Sequence, residues 1–366
     1  MRSGKTAVPK MRPSLQTIVP DYHGAIDFAE LAEWGISPDD IVDFSVNSNP
    51  FGSTANVKKA IQTANVARYP DKACLALRDA LSHHFGRPAS HIWVGNGTAE
   101  LLWLIAFAFV QPQDKVLILE PTFGEYRRNA AMMGAEVFAW QARPEDGFRI
   151  DETAVEQMLL EKRPSLVHWC SPNNPTGQMI SLATVKRWAT ELPQTLFVID
   201  EAYAQFLPDF KSAMALELLN VLVLRSMTKD YALAGIRLGV VVGAPEIIAG
   251  LSKIGVPWSV NEVAQVAGMA ALADHDKYAV MWMWLRESAR QFKLDLAALG
   301  FTPAPSLLHY FLLPVGNGRL WREKLLQKGL LVRLCESYRL PEYVRISTQT
   351  PEENGRLLAA LRDGVV

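Results

Sequence analysis

The chain has 366 residues, 49% of them hydrophobic and 20% charged, with a formal net charge of -1. This composition suits a globular protein with a large core, and it gives no electrostatic case for nucleic acid or an anionic membrane. Three cysteines, Cys74, Cys170 and Cys335, stand far apart with no CxxC spacing, which points to a reducing compartment and no metal site.

The longest apolar run, Leu101 to Val110 with its flanks, is too short to span a bilayer. Met1-Arg-Ser-Gly-Lys5 is followed by no apolar segment of the secretory kind, so a cytoplasmic location is expected. Residues 1–20 read as an extended arm punctuated by Pro9, Pro13 and Pro20. A short helical pattern through Phe28, Leu31 and Trp34 ends at Gly35, and a strand beginning at Val42 runs into an Asn/Pro turn at Asn49-Pro50.

From about residue 70 the pattern alternates. Helices are expected at 72–85, 98–110, 123–133, 151–162 and 182–191, and strands at 91–95, 115–120, 135–140, 165–170, 195–200 and 220–225. Short Val/Ile/Leu-rich strands separated by longer helices predict an α/β fold, a mostly parallel sheet sandwiched by helices. Beyond about residue 255 the order becomes helices at 261–274 and 276–299, strand 307–313, helix 319–328, strands 330–334 and 342–347, and helix 351–363. The expected division is therefore a large domain over 46–255 and a smaller α+β domain over 256–366, to which residues 1–45 contribute an arm.

In such sheets ligands sit outside the carboxyl ends of the strands. The strand ends here carry unusual residues. Gly95-Asn-Gly-Thr-Ala-Glu100 is a glycine turn opening a helix, a place where free N–H groups bind phosphate. Pro121-Thr-Phe-Gly-Glu-Tyr126 sets an aromatic ring, Phe123, at a helix start. Ser171-Pro-Asn-Asn-Pro-Thr-Gly177 is a rigid turn presenting amides. Asp200-Glu-Ala-Tyr203 puts a carboxylate at the end of an apolar strand, where it needs a cationic or proton-donating partner. Finally Ser226-Met-Thr-Lys229 is followed eight residues later by Arg237. A lysine at a buried strand end is costly unless it has work, and Schiff-base formation with an aldehyde is such work. A phosphate cradle, a ring, an amide, a carboxylate, a phenol and a lysine together match the needs of pyridoxal 5′-phosphate.

In this order and spacing the motifs resemble the aspartate-aminotransferase fold, fold type I of the pyridoxal-phosphate enzymes, along nearly the whole chain. The resemblance implies that Lys229 forms the Schiff base and shuttles protons, while Asp200 holds the pyridine nitrogen protonated. It implies that Tyr203 and Asn174 bind the ring hydroxyl oxygen, that Phe123 stacks on the ring, and that Gly97, Thr98, Ser226 and Arg237 bind the phosphate. Arg68-Tyr-Pro-Asp71 matches a family segment whose tyrosine, here Tyr69, reaches the partner's phosphate across a homodimer interface.

Two further arginines, Arg333 and Arg345, follow β-type apolar residues, and a planar guanidinium is a natural clamp for carboxylate or phosphate. The segments look most like threonine-phosphate decarboxylase of cobalamin biosynthesis, a lyase, and next like histidinol-phosphate aminotransferase. In both families an arginine matching Arg345 holds a carboxylate and one matching Arg333 a phosphate. The resemblance adds His23, Asn47 and Asn261 as substrate-pocket candidates. Decarboxylation of O-phosphothreonine is the first expectation and transamination of histidinol phosphate the second. A non-catalytic regulator would need a DNA-binding module for which the N-terminal 45 residues are too few and not basic.

Overall fold

The computed structural model describes residues 10–16, 18 and 24–365. Its strands are β1 (Val42–Asp43), β2 (Ile92–Asn96), β3 (Lys115–Glu120), β4 (Glu136–Gln141), β5 (Leu166–Cys170), β6 (Leu196–Asp200), β7 (Val221–Ser226), β8 (Leu238–Val242), β9 (Tyr310–Pro314), β10 (Leu330–Leu331), β11 (Arg333–Leu334) and β12 (Tyr343–Ser347). Its α-helices are α1 (Phe28–Trp34), α2 (Ala55–Gln62), α3 (Leu75–Phe85), α4 (Gly97–Phe109), α5 (Glu125–Met132), α6 (Glu152–Lys162), α7 (Leu182–Glu191), α8 (Pro245–Ile254), α9 (Glu262–Ala273), α10 (His275–Ala298), α11 (Gly318–Leu326) and α12 (Pro351–Arg362). No helix among the described residues is long and apolar enough to cross a membrane.

The main sheet has seven strands in the order β2-β8-β7-β6-β5-β3-β4, parallel except where β8 runs against both neighbours. Its strands are buried on both faces because their side chains alternate between two apolar cores. Leu166, Val198 and Leu224 join the core that holds α3, α4 and α9, while Val167, Phe197 and Val223 join the one that holds α6 and α7. Period-2 alternation in an all-apolar strand is what helices on both faces require.

The sequence reading omitted three elements: α2, β8 and α8. The signal for β8 was hidden because Leu238–Val242 follows directly on the Arg237 turn and reads as a continuation of it. Its reversal has a consequence for the site. With β8 antiparallel, its amino end lies at the carboxyl end of its neighbours, with Leu238 opposite Asn96 and Gly239 opposite Ser226. Arg237 is thereby delivered to the same rim as the glycine turn.

The expected single strand 330–334 is instead two short ones in different sheets. β10 pairs in parallel with β1, while β11 joins an antiparallel sheet ordered β11-β12-β9. The small sheet and β1 share a core of Phe44, Phe292, Phe311, Val332 and Ile346 with α10, α11 and α12.

Candidate active site

Five of the strand ends anticipated from sequence meet at one cavity of about 460 Å³, lined by both sheets. Lys229, Asp200, Tyr203, Asn174, Phe123, Thr98, Ser226 and Arg237 line it from the large sheet's rim, and Arg333 and Arg345 from the small sheet. Asn47 lines it as well.

One end of the cavity is built by α4. Asn96 precedes that helix without a side-chain cap, so the helix start keeps N–H groups open toward the cavity. Gly97 takes φ +74, and a Cβ there would stand 2.6 Å from the Arg237 guanidinium. A glycine is needed both for the backbone conformation and for the approach. On the facing side Ser226 Oγ and Thr228 Oγ1 lie 2.7 Å apart. A guanidinium, two hydroxyls and a helix start make an anion cradle.

Asp200 stands at the end of β6, enclosed on all sides. The Tyr126 hydroxyl donates to its Oδ2 at 2.8 Å and the Ala202 N–H to its Oδ1 at 3.0 Å. Burial raises its pKa to about 6, and the Tyr126 donor, the Ala202 N–H, Lys229 and Arg225 oppose that rise. A carboxylate in this position suits a protonated ring nitrogen. Lys229 follows β7, and burial, then Arg345 and Arg237, lower its pKa to about 8. An amine so poised is free base in a useful fraction near neutrality. The Tyr203 hydroxyl accepts from Asn47 Nδ2 at 3.4 Å.

The other end of the cavity is cationic. Arg333 and Arg345 are 2% and 4% exposed and stand directly opposite each other on β11 and β12. Arg345 donates to Asn174 Oδ1 and to the Ser45 carbonyl. Arg333 donates to the Leu334 carbonyl at 2.6 Å and to Ser337 Oγ at 2.9 Å, and its guanidinium lies 5.3 Å from the Tyr338 ring centre. Like charges opposed across strands are destabilising, so a pair retained at a cavity wall points to an anionic ligand. Gly24 makes room for Arg333: a Cβ at Gly24 would lie 2.3 Å from the Ser45 carbonyl oxygen and 3.3 Å from Arg333 Cδ.

Two candidates fall elsewhere among the described residues. Tyr69 is 76% exposed, packed against Trp258 with ring centres 4.7 Å apart, and does not line the cavity of its own chain. Asn261 is the cap of α9, accepting from the Ala264 N–H at 2.8 Å, and is not a cavity residue. His23 lies outside the described residues. Sequence reasoning passed over Tyr126 and Tyr338 as individual residues. Tyr126 stands three residues after Phe123 in the same strand-end motif, which could have flagged it; Tyr338 carries no such signal.

The family pattern "Aminotransferase class I and II" matches residues 39–361. A histidinol-phosphate aminotransferase of Symbiobacterium thermophilum is 33% identical over 368 residues, covering 99% of this chain and 98% of that protein. A threonine-phosphate decarboxylase of Salmonella typhimurium is 34% identical over 343 residues, covering 90% of this chain and 92% of that protein. Among solved structures, histidinol-phosphate aminotransferase from Sinorhizobium meliloti in complex with pyridoxal-5′-phosphate superposes with a TM-score of 0.88 at 25% identity, covering 98% of each chain. The Gly97 cradle, the enclosed Asp200 carboxylate and the low-pKa Lys229 fit that cofactor in its phosphate, its ring nitrogen and its aldehyde. The chain belongs to the class I and II aminotransferase family and is a pyridoxal 5′-phosphate enzyme.

Proposed function

We propose that the enzyme transfers the amino group of a phosphorylated amine of the histidinol-phosphate type to a 2-oxo acid. The observation that carries this is the opposed pair Arg333 and Arg345, set in one cavity with Lys229. Sequence alone placed decarboxylation first. That order is reversed here because the relatives named as histidinol-phosphate aminotransferases outnumber the decarboxylase.

Bound pyridoxal phosphate supplies an electron sink conjugated to the substrate's amino-bearing carbon. Lys229 would take the proton from that carbon and hold it for return, a task for an amine whose pKa burial and the neighbouring arginines lower to about 8. Asp200 would hold the ring nitrogen of the bound cofactor and favour its protonated form. Arg345, tied to Asn174, orients the carboxylate of the 2-oxo acid, and Arg333 with Ser337 holds the phosphate. A phosphorylated amine without a carboxylate has no carbon dioxide to lose, so its Cα proton is the group that departs. In this reading residues 46–255 hold the cofactor, and residues 256–366 bring the arginines to it.

Decarboxylation of O-phosphothreonine is the second reading. It is supported by the Salmonella relative, and by Gly24 and Asn47 lining the cavity. There the α-carboxylate must stand out of the ring plane, because the bond that breaks is the one overlapping the π system. A shift of about an ångström separates the two outcomes. The holoenzyme should form glutamate from 2-oxoglutarate and L-histidinol phosphate in a stopped assay. Release of carbon dioxide from O-phospho-L-threonine without any glutamate formed would replace the first reading by the second.

The assembly we propose is a homodimer in which Tyr69 reaches the partner's phosphate cradle. The exposed Tyr69–Trp258 pair supports it, since two large rings side by side on a surface favour a covering partner. Sedimentation velocity should give twice the chain mass at micromolar concentration, and Tyr69→Phe should weaken cofactor retention. A monomer that retains cofactor fully would refute both statements.

A further inference from the structure

Tyr126 has no part in the functional reading so far, yet it touches three pieces of the site at once. Its hydroxyl donates to Asp200 Oδ2 at 2.8 Å. Its ring meets Phe123 edge-on, with centres 5.6 Å apart at 82°. Its other neighbour is His168, stacked at 3.7 Å between centres and 12° between planes.

The fold explains how these groups meet. His168, Cys170 and Asp200 project from one face of β5 and β6, where His168 pairs with Val198 and Cys170 with Asp200. Tyr126, the second residue of α5, comes down onto that face. His168 is 5% exposed, and its ring nitrogens have no side-chain hydrogen-bond partner, only a weak approach to the Trp169 backbone. Burial lowers its pKa to about 3, so the ring is neutral. A buried imidazole with such poorly satisfied nitrogens is an expensive choice for a spacer. What it supplies here is a flat plate that fixes the plane of Tyr126 and so aims its hydroxyl.

We propose that Tyr126, held by the His168 stack, is a positioning residue that sets how strongly Asp200 binds a proton and thereby where the proton shared with the cofactor's ring nitrogen resides. The phenol remains a donor throughout the working range, because burial first and the neighbouring Asp200 next raise its pKa well above the ordinary value. Asp200 is also faced by Lys229 and Arg225, and Tyr126 is further faced by Cys170 and Tyr203. Of these, Tyr126 alone hydrogen-bonds the Asp200 carboxylate through a side chain. An O–H donor lowers a carboxylate's basicity. Without it Asp200 becomes the stronger base, the proton moves from the ring nitrogen to a carboxylate oxygen, and the ring loses its positive charge.

This inference rests on the cofactor and not on the choice of substrate, and its test needs no substrate. Purified holoenzyme and Tyr126→Phe are titrated with pH while the cofactor's visible absorbance is followed, and the cofactor dissociation constant is measured on each apoprotein by fluorescence quenching. Tyr126→Phe should move the absorbance midpoint up by about one pH unit and weaken cofactor binding by about tenfold. His168→Phe, which keeps a flat ring, should leave the midpoint in place. His168→Ala, which keeps the hydroxyl but removes the plate, should move it part of the way in the same direction. A Tyr126→Phe protein with lowered thermal stability but an unmoved midpoint would reduce Tyr126 to a packing residue and overturn the proposal. So would a midpoint that His168→Phe shifts as far as Tyr126→Phe does.

Discussion

Lys229→Ala should lower kcat/KM by at least about 10⁴-fold, the full range ascribed to a positioned proton-transfer group, because it removes the covalent anchor as well. Mass spectrometry after borohydride reduction should find the cofactor attached at Lys229 in the native protein and nowhere in the variant. The same residue gives a pH signature. Burial disfavours the ammonium, Arg345 and Arg237 disfavour it further, and the pKa falls to about 8. The lowered value means that the reactive free base is about a tenth of the population at pH 7 and about nine-tenths at pH 9. The rate at which apoprotein captures the cofactor covalently should therefore rise through pH 8 and level off above it. A rate still climbing steeply at pH 10 would mean an ordinary exposed lysine and would remove the electrostatic account of the site.

Much of this site was legible in the sequence because parallel sheets announce where their ligands go. Once alternating helix and strand patterns fixed the strand ends, Gly97, Phe123, Asn174, Asp200 and Lys229 were placed on one rim without coordinates, and all but Gly97 are cavity-lining residues. What could not be read is long-range. That Arg237 reaches Gly97 depends on β8 reversing direction, and nothing in Gly-Ile-Arg-Leu-Gly states a strand's orientation. That Arg333 and Arg345 face each other depends on the register between β11 and β12, and a one-residue slip would send one of them to the opposite face. Tyr126 was legible only as part of a motif. Its role comes from the stack on His168, 42 positions away on a strand that reads simply as apolar. Asn261, which the resemblance gives as a pocket residue, caps the helix it begins and does not line the cavity of its own chain.

The arginine pair gives the second large effect, and its form is diagnostic. A charge-assisted hydrogen bond contributes about 1.5–3 kcal/mol, so Arg333→Ala should cost roughly 10- to 150-fold in kcat/KM toward a phosphorylated substrate. Toward the dephosphorylated analogue the same variant should lose less than about threefold, since no dianion is left to bind. Arg345→Ala should show the complementary pattern, weakening every substrate with an α-carboxylate, phosphorylated or not. Arg333→Lys should recover only part of the loss, because an ammonium cannot reproduce the planar fork that now spans the Leu334 carbonyl and Ser337. Retention of the native cofactor spectrum in each variant separates these effects from collapse of a buried site. The double variant should fall short of the product of the single losses, because the guanidiniums stand directly opposite each other on the wall of one cavity. Equal losses on phosphorylated and dephosphorylated substrates would show that Arg333 supports the cavity wall rather than the phosphate, and the substrate class would then have to be sought without it.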